Sequence, residues 1–77
     1  MFVHIGGEMS LPERSIISVI NLESVHPSQR TVSDFIKSED ERGRLQYVTD
    51  DIPKTIIVTD SKTYVCSLSS QVLLSRL

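Results

Sequence analysis

Hydrolytic catalysis would need a nucleophile, a base and a group that orients the base, and this sequence brings no such set together. Ser24 and His26 are near neighbours, but nucleophile–base pairs depend on geometry rather than on adjacency, and no third group can be identified. The chain also has no nucleophile elbow and no glycine-rich phosphate loop. The sequence therefore predicts that the protein is not an enzyme, and it indicates no small-molecule substrate.

The side chains that bind metals are equally scattered. His4, His26 and Cys66 lack the close-spaced pairs that are typical of zinc sites. Asp50 and Asp51 are adjacent carboxylates, but two carboxylates without a third or fourth oxygen ligand make a poor site for a divalent cation. Because aspartate is a common turn residue, we interpret this pair as a solvated turn. We expect no metal and no other cofactor.

Basic residues at loops and strand ends are the remaining candidates for a binding site. Arg14 lies in a predicted turn, Arg44 follows Gly43, Lys54 precedes a predicted strand, and Lys62 lies in a predicted hairpin turn. Such positions on a rigid scaffold often contact phosphate. Each residue taken alone fits ordinary surface charge equally well. Only the convergence of several on one face would indicate a nucleic-acid site.

The net charge of −2, from ten acidic and eight basic residues, argues against a dedicated nucleic-acid-binding domain, since these are usually basic. A DNA-binding role therefore requires the basic residues to gather on one face of the molecule. Composition neither shows nor forbids such a distribution.

The length of 77 residues predicts a single domain, 1–77, with a thin core. We therefore expect self-association as a source of extra stability. The one cysteine excludes an internal disulfide framework and suits a reducing cytosol. No apolar run approaches the roughly 18–20 residues that a membrane span needs, and the amino terminus has no signal-type apolar segment. We expect a cytoplasmic protein that makes no membrane contact.

A predicted β-hairpin over residues 54–68 is the central element of the chain. The run Ile56–Val58 is β-branched and bounded by turn residues, which favours a strand buried in the middle of a sheet. After a polar turn at 60–62, residues 63–68 alternate in character and predict a second strand. We expect this second strand to lie nearer an edge of the sheet.

The remaining elements complete an α+β fold with a small, twisted, mostly antiparallel sheet of about four to six strands. Further strands are predicted over residues 2–5, 9–11, 16–22 and 45–48. One long helix is predicted over Ser28–Arg42, with Gly43 as its left-handed stop, and a short carboxy-terminal helix is predicted with Ser69 or Ser70 as its cap. The residues expected to be buried are Ile17, Val19, Phe35, Ile36, Ile56 and Val58.

The order of these features resembles the RemA/RemB family, small bacterial regulators of extracellular matrix (biofilm) genes. Pro53–Lys54, the hairpin, and Leu68–Ser70 before a short helix carry the resemblance. The opening Phe2–Gly6, and Arg14 ahead of an apolar strand, resemble the RemB branch of that family in particular. The resemblance runs over nearly the whole chain, and it is the collinear order of short patterns that carries it.

The resemblance implies a LytTR-like fold, as in RemA, and a DNA-binding transcriptional regulator that forms a ring and engages DNA by wrapping. It implies that Arg14 and Lys54 face the DNA, and our hypothesis adds Arg44 and Lys62 to that surface with weaker support. It also implies a subunit contact near His26 and Pro27. On physical grounds the amino-terminal strand is a second candidate for that contact, because unpaired sheet edges are awkward for a monomer.

One departure from the RemA pattern leaves a second function open. RemA has two adjacent arginines ahead of the position that matches Lys54, whereas this chain has Asp51 and Ile52 there. An aspartate facing phosphate would be repulsive. The alternative is an oligomeric protein-interaction module of the same regulatory system that does not bind DNA directly. A single basic face would favour DNA binding, and an evenly mixed surface would favour the alternative.

Overall fold

A computed structural model describes residues 1–24 and 30–77 and shows an α+β fold. The elements in chain order are β1 (Phe2–Gly6), β2 (Met9–Pro12), a 3-10 turn (Glu13–Ser15), β3 (Ile16–Asn21), α1 (Arg30–Glu41), β4 (Leu45–Tyr47), β5 (Thr55–Thr59), β6 (Thr63–Cys66) and α2 (Ser70–Ser75). The predicted fold class is confirmed, with one long helix and a short carboxy-terminal helix. The predicted helix start at Ser28 lies outside the described residues.

Four strands form one sheet in the order β3-β5-β6-β4, and β1 pairs with β2 in a separate two-stranded sheet. All strand pairs are antiparallel except β4 with β6, which is parallel. The prediction that β6 lies nearer an edge is wrong. After α1 the chain returns as β4 on the outer side of β6, so β6 is an interior strand and all four of its residues are buried.

The sheet is covered on both faces. On one face Ile57, Tyr64 and Cys66 pack against the β1–β2 hairpin and α2 in a single apolar cluster, whose other buried members are Val3, Ile5, Leu11 and Leu73. On the other face lie Thr63 and Val65 of β6, and α1 contacts this face through Glu39, which bonds to Thr63. The β1–β2 hairpin and α1 are therefore on opposite sides of the sheet.

The predicted core is confirmed only in part. Ile56 is fully buried, whereas Val19, Val58, Phe35 and Ile36 are half-buried. Ile17 is 67% exposed, so its predicted burial is wrong. The strand register shifts between Ile16 and Ser18, and such a bulge interrupts the alternation of inward and outward side chains.

Local hydrogen bonds and backbone conformation fix the β5–β6 turn, the end of α1 and the start of α2. The Thr59 side chain accepts a bond from the Lys62 backbone N–H at 3.0 Å and donates to the Lys62 carbonyl at 2.5 Å, which closes the β5–β6 turn. Gly43 follows α1 with φ of 69°, the left-handed conformation predicted for a helix stop. Ser69, one of the two predicted caps, caps α2 by accepting from the Val72 N–H.

No helix within residues 1–24 or 30–77 combines the length and the apolar character that crossing a membrane would require.

Candidate nucleic-acid interface

Three of the four predicted DNA-facing residues lie at one end of the four-stranded sheet. The Asp60 N–H donates to the Ser15 carbonyl at 3.3 Å, which sets Arg14 beside the β5–β6 turn. The Thr63 N–H donates to the Arg44 carbonyl at 2.9 Å, so Arg44 borders the same turn from the other side. We call this end of the sheet, with Arg14, Arg44 and Lys62, the turn end.

Lys54 lies at the opposite end of the sheet. The Lys54 carbonyl accepts from the Leu22 N–H at 2.9 Å, and the Lys54 N–H donates to the Cys66 carbonyl at 2.9 Å. Leu22 directly follows β3 and Cys66 ends β6, so both bonds lie at the end of the sheet away from the β5–β6 turn. Lys54 and Asp60 are six positions apart along extended chain, about 20 Å at about 3.3 Å per residue. Arg14 and Lys54 are therefore not adjacent within one molecule, and a single surface that contains both stays a hypothesis.

Arg14 is exposed on a braced turn. The Glu13 N–H donates to the Met1 carbonyl at 2.9 Å, and the Ser15 hydroxyl donates to the Pro12 carbonyl at 2.7 Å. The guanidinium of Arg14 forms no ion pair with any residue in the described ranges. Its charge is therefore available to a ligand, and its backbone is held in place before binding.

Lys62 is exposed at the tip of the β5–β6 turn. Its ammonium donates to the Gln46 side-chain carbonyl at 3.2 Å, a neutral partner that leaves the positive charge in place. Asp60 stands two residues earlier in the same turn and is also exposed. The local field around Lys62 is therefore reduced by a nearby carboxylate, although no ion pair joins these two described residues.

Arg44 is poorly placed for phosphate contact. Its Nε donates to the two carboxylate oxygens of Glu39 at 3.4 and 3.2 Å, and this is the one ion pair among the residues that the structure describes. The arginine side chain is half-buried and the glutamate nearly fully buried. Glu39 therefore offsets the charge of Arg44, and the predicted DNA-facing role of Arg44 stays a hypothesis.

Glu39 had no predicted role, yet the structure places it at the turn end, bonded to Arg44 and to Thr63. Its carboxylate accepts from the Thr63 hydroxyl at 2.5 Å in addition to Arg44. The hydrogen bond from Thr63, together with the neighbouring Arg44, holds the pKa of Glu39 below its usual range although burial opposes this. Glu39 thereby fixes the end of α1 to β6. One signal was available, because Glu39 follows Phe35 and Ile36 at helical spacing.

The acidity of Glu39 gives a testable pH dependence. Because the pKa is lower in the folded chain than the ordinary value of 4.5, ionised Glu39 stabilises the fold above that value, and the contribution is lost as the pH falls through the folded-state pKa. We expect Glu39→Gln to lower the melting temperature at pH 7 and to flatten its decline in acid. Glu41→Gln, which removes an exposed carboxylate from the same helix, should keep the wild-type profile. Equal profiles for the two variants would contradict the role of Glu39.

The end of the sheet near Lys54 carries acidic residues. Asp50 and Asp51 lie in an exposed bend, as their interpretation as a turn predicted. The Asp51 carboxylate accepts from the Ile52 N–H at 2.8 Å, and the Thr49 hydroxyl accepts from the Asp51 N–H at 3.1 Å. Within the described ranges, no three metal-binding side chains come together.

His4 and Cys66, two of the scattered metal-binding residue types in the sequence, occupy a strand surface and the core respectively. His4 is exposed, and its Nε2 lies 2.7 Å from the Gly7 carbonyl oxygen. Cys66 is fully buried in β6, and burial raises the pKa of its thiol. His26 and Pro27, the predicted oligomer contact, lie outside the described residues.

The fold and the turn end define a small α+β domain with a candidate binding surface. Residues 2–77 match the family model RemA-like, described as extracellular matrix regulatory protein A-like. The chain belongs to this family, which is a family of regulators and not of enzymes. No curated protein matches the chain.

Proposed function

We propose that this RemA-like chain is an oligomeric DNA-binding transcriptional regulator of extracellular matrix genes that acts in the cytoplasm. Within the family we assign it to the RemB branch, on the residues Phe2–Gly6 and Arg14. The observation that carries the proposal is the position of Arg14 and Lys62. Both are exposed at the turn end, and neither is in an ion pair with a described residue.

The scaffold suits phosphate contact because both basic residues project from short, braced turns between strands. Backbone and hydroxyl hydrogen bonds fix the turn that carries Arg14 and the turn that carries Lys62. A ligand would therefore not have to order these backbones on binding, which lowers the entropic cost of association. Contacts of this type position a protein on the DNA backbone and carry little sequence information.

A single copy of the chain would bind DNA weakly, since two basic residues neutralise only about two phosphates. In an oligomer the turn end recurs once in each subunit. Linked weak contacts then gain from a high effective concentration, and the gain disappears if the geometry prevents simultaneous contact. Recognition would be dominated by backbone contact and by the ease with which DNA bends.

A second candidate function is an oligomeric protein-interaction module that does not bind DNA. The observation that favours it is the mixture of charges at both ends of the sheet. At the turn end Glu39 offsets Arg44 and Asp60 lies close to Lys62, while Asp51 is close to Lys54 at the other end. Such a mixed surface suits a protein partner at least as well as a polyanion.

Arg14→Ala tests the proposal. We expect it to lower the affinity for all duplex sequences alike and to reduce the slope of log affinity against log salt, by about 0.9 for each phosphate that is no longer neutralised. Fluorescence anisotropy of a labelled duplex over a range of salt concentrations measures both. Arg30→Ala is the matched control, because it removes the same charge from an exposed position. Arg30 is the first residue of α1, whereas the turn end lies beyond the last residue of that helix. Equal binding by wild type and Arg14→Ala would favour the second candidate.

A further inference from the structure

A pocket of about 460 Å³ opens at the turn end, between the link that joins β2 to β3 and the β5–β6 turn. Its volume lies within the range of about 300–1,000 Å³ that is usual for small-molecule sites. The Asp60 N–H donates to the Ser15 carbonyl at 3.3 Å and ties the two segments together, and the Ser15 hydroxyl donates to the Pro12 carbonyl at 2.7 Å. The walls of the pocket are therefore fixed by hydrogen bonds before any ligand binds.

Two opposite charges line this pocket without pairing. Arg14 of the link and Asp60 of the turn both belong to its walls, and neither forms an ion pair with a residue in the described ranges. Glu13 and Lys62 stand next to these walls but outside the lining, and their charges offset each other. The pocket is therefore neutral as a whole, with a positive group on the link and a negative group on the turn.

This pair of charges selects the chemistry of the ligand. A phosphate ester inside the pocket would bring its charge close to Asp60, and the repulsion would oppose the attraction of Arg14. A zwitterion meets no such conflict, because its carboxylate can pair with the guanidinium and its ammonium with the carboxylate of Asp60. Hydrogen bonds to charged groups are roughly twice as strong as those between neutral groups, and a guanidinium can hold a carboxylate through two parallel bonds. A free α-amino acid carries both charges on one carbon.

The buried part of the lining is apolar and carries one free hydroxyl. Leu11 is 6% exposed and Tyr64 is 8% exposed, and both pack in the apolar cluster beneath the β1–β2 hairpin. The Tyr64 hydroxyl forms no hydrogen bond with a described residue, although buried tyrosines usually find a partner. Because no fully buried side-chain oxygen or nitrogen in the described ranges lacks a partner, this hydroxyl reaches water at the pocket. The lining therefore suits an apolar ligand side chain, and the hydroxyl can donate to the ligand carboxylate.

We propose that this pocket binds a free α-amino acid with an apolar side chain. Arg14 holds the carboxylate, Asp60 holds the ammonium, and the ligand side chain packs on Leu11 and on the ring of Tyr64. The inference goes beyond the proposed function and adds an effector to it. A carboxylate bound to Arg14 occupies the guanidinium that the proposed function assigns to DNA, so the amino acid lowers the affinity for duplex DNA. Only this last step rests on the proposed function.

Titration of the isotope-labelled full chain with L-phenylalanine, followed by the amide chemical shifts, tests the binding. The amides of Ser15, Asp60 and Ser61 should shift and saturate, with half-saturation on the order of millimolar for a ligand of this size. Phenylpropionate lacks the ammonium and phenylethylamine lacks the carboxylate, so each should bind at least about tenfold more weakly. Glycine, which has no apolar side chain, should also bind more weakly.

Variants assign each ligand group to its partner. Arg14→Gln should weaken L-phenylalanine at least about tenfold and leave phenylethylamine unchanged, whereas Asp60→Asn should weaken L-phenylalanine as much and leave phenylpropionate unchanged. Tyr64→Phe keeps the ring and removes the hydroxyl, so it should weaken L-phenylalanine by about two- to tenfold. Lys37→Gln is the control, because it removes an exposed charge from α1, on the other side of the sheet from the β1–β2 hairpin.

The inference is overturned if L-phenylalanine causes no saturable shift, or if Arg14→Gln and Asp60→Asn bind it as tightly as the wild type. Both variants replace exposed residues, and circular dichroism establishes that they are folded. Where the wild type binds duplex DNA, saturating L-phenylalanine should lower the affinity as far as Arg14→Ala does, and an unchanged affinity would contradict the assignment of the carboxylate to Arg14. A chain that binds L-phenylalanine but not DNA would instead refute the proposed function alone.

Discussion

Replacement of Ile57 by alanine is expected to lower the free energy of unfolding by about 2–5 kcal/mol. Ile57 is fully buried in β5, where it packs in the apolar cluster with Tyr64 and Cys66. The substitution removes three carbons and leaves a cavity that an interior strand, paired on both sides, can close only in part. A domain of this size is marginally stable, so a decrease of that magnitude is a large share of the total.

Urea unfolding at a fixed protein concentration measures this effect, since self-association would otherwise change the apparent stability. Ile52→Ala is the matched control, because Ile52 has the same side chain and is 75% exposed. It should alter the free energy of unfolding by no more than about 0.5 kcal/mol. Comparable decreases in the two variants would contradict the packing of Ile57 inside the sheet.

Reversal of both free charges at the turn end should have the largest effect on function. In Arg14→Glu/Lys62→Glu each subunit would lose the two phosphate contacts of the proposed function and carry two repulsive charges in their place. The change repeats in every subunit that touches the DNA, so we expect no retention of duplex DNA even at low salt. Gel retardation with a duplex of mixed sequence provides the measurement.

A second double variant separates position from net charge. Arg30→Glu/Lys37→Glu, at two exposed positions of α1, changes the net charge by the same amount but leaves the turn end and Lys54 intact. It should retain most of the wild-type affinity, and both variants should keep the wild-type mass in light scattering. An equal decrease of binding in the two would contradict a DNA-facing turn end and would indicate that net charge alone governs the interaction.

Much of the fold could be predicted from the sequence because its signals are local. The apolar run Ile56–Val58 between turn residues defined β5, Gly43 marked the end of α1, and Ser69 marked the start of α2. The position of β6 could not be predicted in the same way. It depends on the parallel pairing of β4 with β6, a contact between distant segments that no local pattern encodes. Ile17 was misjudged because a bulge breaks the alternation on which the prediction depended.

The candidate site was less accessible to sequence reasoning than the fold. Arg14, Lys54 and Lys62 could be selected from the sequence as basic residues at loops and strand ends. Their distribution between the two ends of the sheet, however, follows from the strand order. The ion pair of Arg44 was missed for a different reason, because it is local. Glu39 lies only five residues before Arg44, and the left-handed turn at Gly43 brings the two side chains together, a detail of turn geometry that the residue types alone do not give.

We propose that this chain binds DNA as an oligomer. Size-exclusion chromatography with light scattering, run on the wild type with and without duplex DNA at low salt, tests this claim most directly. We predict a protein mass that is a multiple of 8.7 kDa, and a heavier species with DNA that dissociates as the salt concentration rises. An oligomer that elutes separately from the duplex at the lowest salt, or a chain that remains monomeric, would contradict the claim.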